Sequence, residues 1–335
     1  MFRKIAAIAA TGVMALGLAA CGSSGSDSAS SSAKSAAPAS AGASQGGTIA
    51  VITVDLANSY WQAEANTAKA EIEKAGFQAT VNAHGADPDK QNQLIDTAIS
   101  NKVKAIILDP AGADESVAAV QKATDAGIPV LLVNAEISKQ GIAKSQIISN
   151  NAQGATIGAE AWVKAMDGKG KYVELFGNPT DNNAKVRSDG YAAVISAYPD
   201  LKKVGQETAN WDRAQGKDKM EGLLAAHPDI TGVIAGNDEM ALGAIEALTD
   251  AKKINKVKVL GFDGNADAVE AVRAGTMVAT VLQPIVQGTT NAVAQAVEYL
   301  KSGKTGVADE KQSIDCVLIT KDNVDKYKAP FVMDK

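Results

Sequence analysis

The chain has too few histidines and cysteines for the sites these residues usually build. Two histidines and two cysteines in 335 residues rule out a disulfide framework and a typical four-ligand zinc site. Aromatic residues make up only 4%, so each one beside a loop calls for a reason. Positive charge does not prevail: 33 Lys and Arg against 38 Asp and Glu give a formal net charge of −5. A nucleic-acid binder would show a basic excess or stripe instead. Neither a GxGxxG nor a GxxxxGK[ST] motif occurs, so the usual glycine-rich phosphate cradles are missing. What remains is ordinary globular composition, 46% hydrophobic and 21% charged, with length for one or two domains, each with its own core.

The first 20 residues read as an address rather than as part of the fold. Arg3 and Lys4 open a run that stays apolar from Ile5 to Ala20. That is short for a membrane-spanning helix, which needs about 20 residues, but it suits a signal peptide. The run ends in Leu18-Ala19-Ala20-Cys21, which resembles the bacterial lipobox. Residues 1–20 are therefore expected to be cleaved and Cys21 lipidated. Up to residue 47 the chain is almost all Ser, Ala and Gly, without apolar periodicity, and is expected to act as a disordered tether. Cys316, in the apolar run 314–319, reads as a buried small hydrophobe rather than a reactive thiol.

From Thr48 onward, short β-branched runs alternate with Ala-, Glu- and Lys-rich segments. Strands are predicted at 48–54, 77–81, 105–108, 129–133, 170–176, 204–208, 231–235, 257–261, 278–282 and 314–319. Helices are predicted at 60–75, 88–100, 114–126, 151–166, 184–197, 214–226, 238–248 and 284–300. Apolar strands alternating with helices imply parallel sheets covered on both faces. The strands are too many for one modest sheet, so the expected fold class is α/β, two doubly wound parallel-sheet lobes. Ligands of such sheets sit at the carboxyl ends of the strands.

The strand ends carry amides, carboxylates and aromatic rings. The first is followed by Asp55 and Asn58-Ser59-Tyr60-Trp61, the third by Asp109-Pro110, the fourth by Asn134-Ala135-Glu136. In the second half, residues 178–183, Asn210-Trp211-Asp212, Asn237-Asp238, Asp263-Gly264 and Gln283 occupy the same kind of place. Planar polar groups can take several hydroxyls in fixed directions, and aromatic faces can cover the C–H faces of a sugar. Single Asn and Asp residues also cap helices, as expected of Asn237. His84 reads as a solvated loop residue, and neither it nor His227 looks catalytic.

Ala226-His227-Pro228-Asp229, then Asn237-Asp238-Glu239-Met240-Ala241-Leu242-Gly243-Ala244, then Gly261-Phe262-Asp263-Gly264 resemble, in that order, the periplasmic sugar-binding proteins of the ribose-binding type. The resemblance spans 48–320. It implies two lobes joined by three hinge crossovers, near Asn150, Pro284 and Asp315. The lobes would be 48–149 with 284–314, and 150–283 with 315–335. It also implies site residues. Asn58 and Asn237 would bond sugar hydroxyls, Tyr60, Trp61 and Trp211 would stack, Asp263 would receive two hydroxyls, and Gln283 would sit near the hinge. Asp109 and Asn134 join this set, as do Lys185 and Arg187. The family's acid-plus-arginine pair after the fourth strand is Asn134-Ala135 here, and its sugar-contacting arginine aligns best with Lys185, two residues before Arg187. Both departures point away from ribose, toward another pentose, a hexose or an acyclic polyol.

The expected function is that of an extracytoplasmic solute-binding lipoprotein of an ABC importer. It would bind a monosaccharide or sugar alcohol and deliver it to permease subunits by ligand-driven closure. It is expected to be monomeric, tied to the cell membrane by its lipid alone, without cofactor, metal, nucleic-acid partner or enzymatic activity. A receptor for a furanose-like signalling molecule is the alternative, and an α/β enzyme acting on a sugar is a weaker one. A sugar-responsive transcription regulator would need a basic headpiece where this chain has its tether.

Overall fold

A computed structural model describes residues 46–334. Residues 1–20, Cys21 and nearly all of the expected tether lie outside the described residues.

The first lobe begins with β1 (Thr48–Thr53), a β-branched run buried along nearly its whole length. It continues through α1 (Ser59–Lys74), β2 (Gln78–Ala83), α2 (Pro88–Ser100), β3 (Ala105–Leu108), α3 (Val117–Asp125), β4 (Val130–Asn134) and β5 (Ser145–Ser149). Helix starts follow local chemistry. The Asn58 side chain accepts the Tyr60 N–H at the head of α1, and Asp87 caps α2 just before Pro88. The second lobe contains α4 (Asn151–Ala165), β6 (Gly170–Phe176), α5 (Asn182–Ile195), β7 (Leu201–Thr208) and α6 (Arg213–Ala226). It continues with β8 (Gly232–Ala235), α7 (Asp238–Asp250), β9 (Lys258–Leu260), α8 (Ala266–Ala274) and β10 (Ala279–Leu282). The chain ends through α9 (Ile285–Ser302), β11 (Lys311–Ile314), β12 (Val317–Thr320) and a short tail.

Two six-stranded sheets result, ordered β11-β5-β4-β3-β1-β2 and β12-β10-β9-β8-β6-β7. All neighbours are parallel except β10 and β12. Each sheet reverses its winding beside its first strand, β1 between β2 and β3, and β6 between β7 and β8. That reversal opens a crevice at the carboxyl ends.

The chain passes between the sheets three times: after β5 at Asn150, after β10 through Gln283 and Pro284, and between β11 and β12 at Asp315 and Cys316. Asn150 Nδ2 donates to Asp315 Oδ1 at 2.8 Å, tying two crossings together. Helix α9 returns to pack on β3, β4, β5 and α1. The structure differs from the sequence expectation at four points: β5 and β11 are strands and α8 is a helix that the sequence reading lacks, and the run 314–319 divides between two sheets. β5 and β11 are polar strands whose hydrogen bonds come from their neighbours rather than from any apolar run.

The tail joins the second lobe through β12, yet the Phe331 ring packs edge-on against Tyr60 of the first lobe, with centroids 5.4 Å apart. Phe331 is only 4% exposed. Phe331→Ala is expected to cost about 3 kcal/mol, measured by urea unfolding. A loss under about 0.5 kcal/mol would mean the tail is not anchored there.

Candidate functional site

The carboxyl ends of the two sheets face each other, and the lobes are joined across the cleft. Ala113 N–H donates to Thr180 O at 3.2 Å, Asn182 Nδ2 to Glu136 Oε1 at 3.1 Å, and Asn183 Nδ2 to Asn134 O at 3.2 Å. Behind these contacts lies a narrow space of about 20 Å³ lined by Asn58, Tyr60, Trp61, Asn134, Asp181, Asn183, Arg187, Trp211, Asn237, Asp263 and Gln283. An outer mouth of about 260 Å³ shares Asn58, Trp61, Asp181 and Trp211 with it and adds Asp55, Asp109, Asn178 and Asn210. The mouth is near the lower end of small-molecule sites, roughly 300 Å³, and the inner space alone is far smaller.

On the second lobe, Asp263 follows β9 at φ 126°, a conformation costly for a side-chain-bearing residue. The backbone is held there by a bridge to Leu282, with Asp263 N–H on Val281 O and Gln283 N–H on Asp263 O. Asp238, fully buried, supports the same turn by accepting the N–H groups of Gly264 and Asn265, each at 2.8 Å. Asp263 Oδ1 accepts Gln283 Nε2 at 2.7 Å and Arg187 Nη1 at 3.3 Å, and none of the described hydrogen bonds uses Oδ2. Burial pushes the Asp263 carboxyl up, while the Arg187 guanidinium and the Gln283 amide hold it down; the net direction is upward.

Arg187 is the centre of this wall. Its Nε donates to Asn151 Oδ1 at 2.7 Å and its Nη1 to Gly236 O at 2.8 Å. Its guanidinium lies 4.0 Å from the Phe262 ring centroid and 5.2 Å from that of Trp211, a stacked arrangement that a lysine could not reproduce. Trp211 rests directly on the backbone at Gly177, where an added Cβ would come within 2.1 Å of the indole. Asn134, Asn210, Trp211 and Asp263 all have positive φ, so strained backbone recurs at the strand ends that build the cleft.

The first lobe supplies a second polar set. Tyr60 OH donates to Asn134 Oδ1 at 2.9 Å, and Asn134 Nδ2 donates to Asp109 Oδ2 at 2.8 Å. Because Asn151 Nδ2 also donates to Asn183 Oδ1 at 2.9 Å, hydrogen bonds run unbroken from Asp263 through Arg187, Asn151 and Asn183 to Asn134 and Asp109.

Of the residues expected in the cleft, Asn58, Tyr60, Trp61, Asn134, Arg187, Trp211, Asn237, Asp263 and Gln283 line the inner cavity, and Asp109 lines the mouth. Lys185 does not join them. Its side chain is 73% exposed and pairs with Asp189 one turn on. Helical geometry decides this: two residues turn the side chain by more than half a turn, onto the opposite face, so only Arg187 faces inward. The expected loss of the guanidinium therefore does not occur. One other role changes. Tyr60, tied by its hydroxyl and packed on Phe331, is a strut more than a stacking face. Asn237 caps α7 through the Met240 N–H and also donates to Trp211 O at 3.2 Å.

His84 is buried, not solvated. Its Nδ1 accepts the Ala86 N–H at 3.1 Å, so the ring N–H is on Nε2 and donates to Asp109 O at 2.8 Å. Burial lowers its pKa, which keeps it neutral and holds the Asp109 backbone. Cys316 is buried, and burial pushes its thiol up to about 12. Residues missed from sequence are Asp181, Asn183 and Asn151. The first two lie in the polar run after β6, where spacing alone does not separate a wall residue from a cap.

Residues 49–305 match the periplasmic binding protein domain family. The chain belongs to that family. It is 47% identical over 284 residues to the D-apiose import binding protein of Actinobacillus succinogenes, covering 84% of this chain and 91% of that one. It is 32% identical to the ribose import binding protein of Escherichia coli, covering 82% and 90%. Among solved structures it resembles an ABC transporter solute binding protein from Bacillus halodurans with bound myo-inositol. The TM-score is 0.79 at 29% identity, covering 86% of this chain and 99% of that one. This periplasmic binding protein is thus a solute receptor of the type I fold, a family that works outside the cytoplasm. Among the described residues no helix is long and apolar enough to cross a membrane, and no group of three His, Cys, Asp or Glu side chains could hold a metal ion.

Proposed function

We propose that this protein binds D-apiose, a branched five-carbon sugar, between its lobes and hands it to an ABC importer. The observation that carries this reading is the cleft between the lobes, where Asp263 lines the inner space, Asp109 lines the mouth, and Trp61 and Trp211 line both. Identity of 47% to a D-apiose import binding protein against 32% to a ribose one supports apiose over ribose. The indoles would cover the C–H faces of the ring. Asp263, Asp109, Gln283 and Asn58 would take its hydroxyls, with Arg187 fixing Asp263.

A ligand that touches both lobes binds the closed form better and so shifts the population toward it. The closed body would then dock on permease subunits, and Cys21, once lipidated, would keep it at the membrane face. Nothing in this mechanism needs a group that titrates during turnover, so the sugar should be released unchanged.

Thermal shift and calorimetric titration with D-apiose, D-ribose and xylitol test the reading. D-apiose at a hundredfold excess over Kd should stabilise the protein by about 2.7 kcal/mol and be recovered intact. A larger response to ribose or xylitol would reassign the ligand, and chemically altered sugar would refute the receptor reading.

A further inference from the structure

Glu64 lies on α1 one turn beyond Tyr60 and Trp61, on the same face of the helix. It is fully buried, where a carboxyl is costly unless it finds partners. It lies against Thr53 at the end of β1 and against Asp109 at the end of β3, without a hydrogen bond of regular geometry to either. Asp109 has one oxygen committed to the Asn134 amide and the other, Oδ1, without a regular partner. Two buried carboxyls this close cannot both ionise, so the pair retains a proton. Burial and then the charge of Asp109 push Glu64 upward. Burial also pushes Asp109 upward, to about 8, although contacts from Asn134, Glu64 and Trp61 favour its charged form. The two carboxyls therefore share the retained proton.

We propose that Glu64 is a positioning residue for ligand binding, whose carboxyl shares a proton with Asp109 from behind the cleft and fixes how Asp109 and Asn134 meet the ligand. The role rests on the sugar-binding reading above. Asp109 also faces Asp181 across the cleft and His84, which is neutral and holds its backbone. Tyr60 feels Glu64 together with Asp263, Arg187 and Asp109. Removing the shared proton places two negative charges behind the site, so affinity should fall as pH rises through the ionisation of the pair. A glutamine at position 64 keeps a donor and has no proton to lose.

The test is calorimetric titration with D-apiose from about pH 6 to 9, on wild type, Glu64→Gln and Glu64→Leu. Wild-type affinity should drop at least about fivefold at the alkaline end. Glu64→Gln should bind within about threefold of wild type at pH 6 and lose the alkaline drop. Glu64→Leu should weaken binding about tenfold, since Asp109 loses a buried donor. Should Glu64→Leu fail to fold, the pH profiles of wild type and Glu64→Gln decide alone. An alkaline drop that persists in Glu64→Gln, or is missing from wild type, overturns the role. So does a folded Glu64→Leu that binds as wild type. A wild-type protein that binds none of D-apiose, D-ribose and xylitol overturns the sugar reading and this role with it.

Discussion

Asp263→Ala is expected to weaken sugar binding by about a hundredfold or more, some 2.7 kcal/mol. The substitution removes a charge-assisted acceptor from a buried wall. It also strands Arg187, whose side chain is 4% exposed and whose counter-charge is Asp263. Breaking a buried pair by deleting one partner typically costs about 3–5 kcal/mol, so unliganded stability should fall as well. Asp263→Asn separates the two effects. It keeps an oxygen for Gln283 Nε2 and the volume of the side chain, but gives up the charge. Its binding should fall between wild type and Asp263→Ala, with less loss of stability. Calorimetry and urea unfolding on the three proteins check both expectations. Unchanged affinity in Asp263→Ala would remove Asp263 from the ligand wall.

The second large effect lies away from the cavity. Helices α6 and α7 meet backbone to backbone. A Cβ on Gly243 would stand 2.1 Å from Arg213 O and 2.7 Å from Lys217 N, and one on Gly216 would stand 2.7 Å from Met240 Cα. Backbone atoms cannot swing aside as side chains do, so Gly243→Ala would force the helices apart. The expected loss is at least about 3 kcal/mol, roughly 6–12 °C in Tm. The site would feel it, because α6 starts just after Trp211 and α7 just after Asn237. The bond from Asn237 Nδ2 to Trp211 O joins these starts, as does the Arg213–Glu239 pair at 2.7 Å. Gly222→Ala is the control. It lies in the same helix α6 with nothing within 4 Å of an added Cβ, and should be neutral or slightly stabilising. Equal melting of the two variants would mean the helix contact has room to spare.

The parallel strands of both lobes were legible because β-branched runs buried on both faces leave a local signature, as β1 and β3 do. The candidate site was legible because ligands of wound sheets gather at strand ends, where Asn58, Asp109, Trp211 and Asp263 stand out against a chain poor in aromatics. What was not legible depends on distant neighbours. β5 carries only two large apolar residues, Ile147 and Ile148, and exists because β4 and β11 flank it. The choice between Lys185 and Arg187 depends on the phase of α5, which alignment by chemical type does not fix. Glu64 reads as one more helix-surface acid until the sheet behind it is in place. His84 reads as a loop residue until the Asp109 carbonyl is seen to receive it.

On this reading one sugar molecule bridges the two lobes within the cleft. A crystal structure of the protein grown with D-apiose tests it most directly. A single sugar is expected in the cleft between the lobes, with a ring face on Trp211 or Trp61. One hydroxyl should lie within hydrogen-bond distance of Asp263 and another of Asp109, with the Arg187 network intact around them. A sugar bound elsewhere, or one touching a single lobe with Asp263 uninvolved, would contradict it.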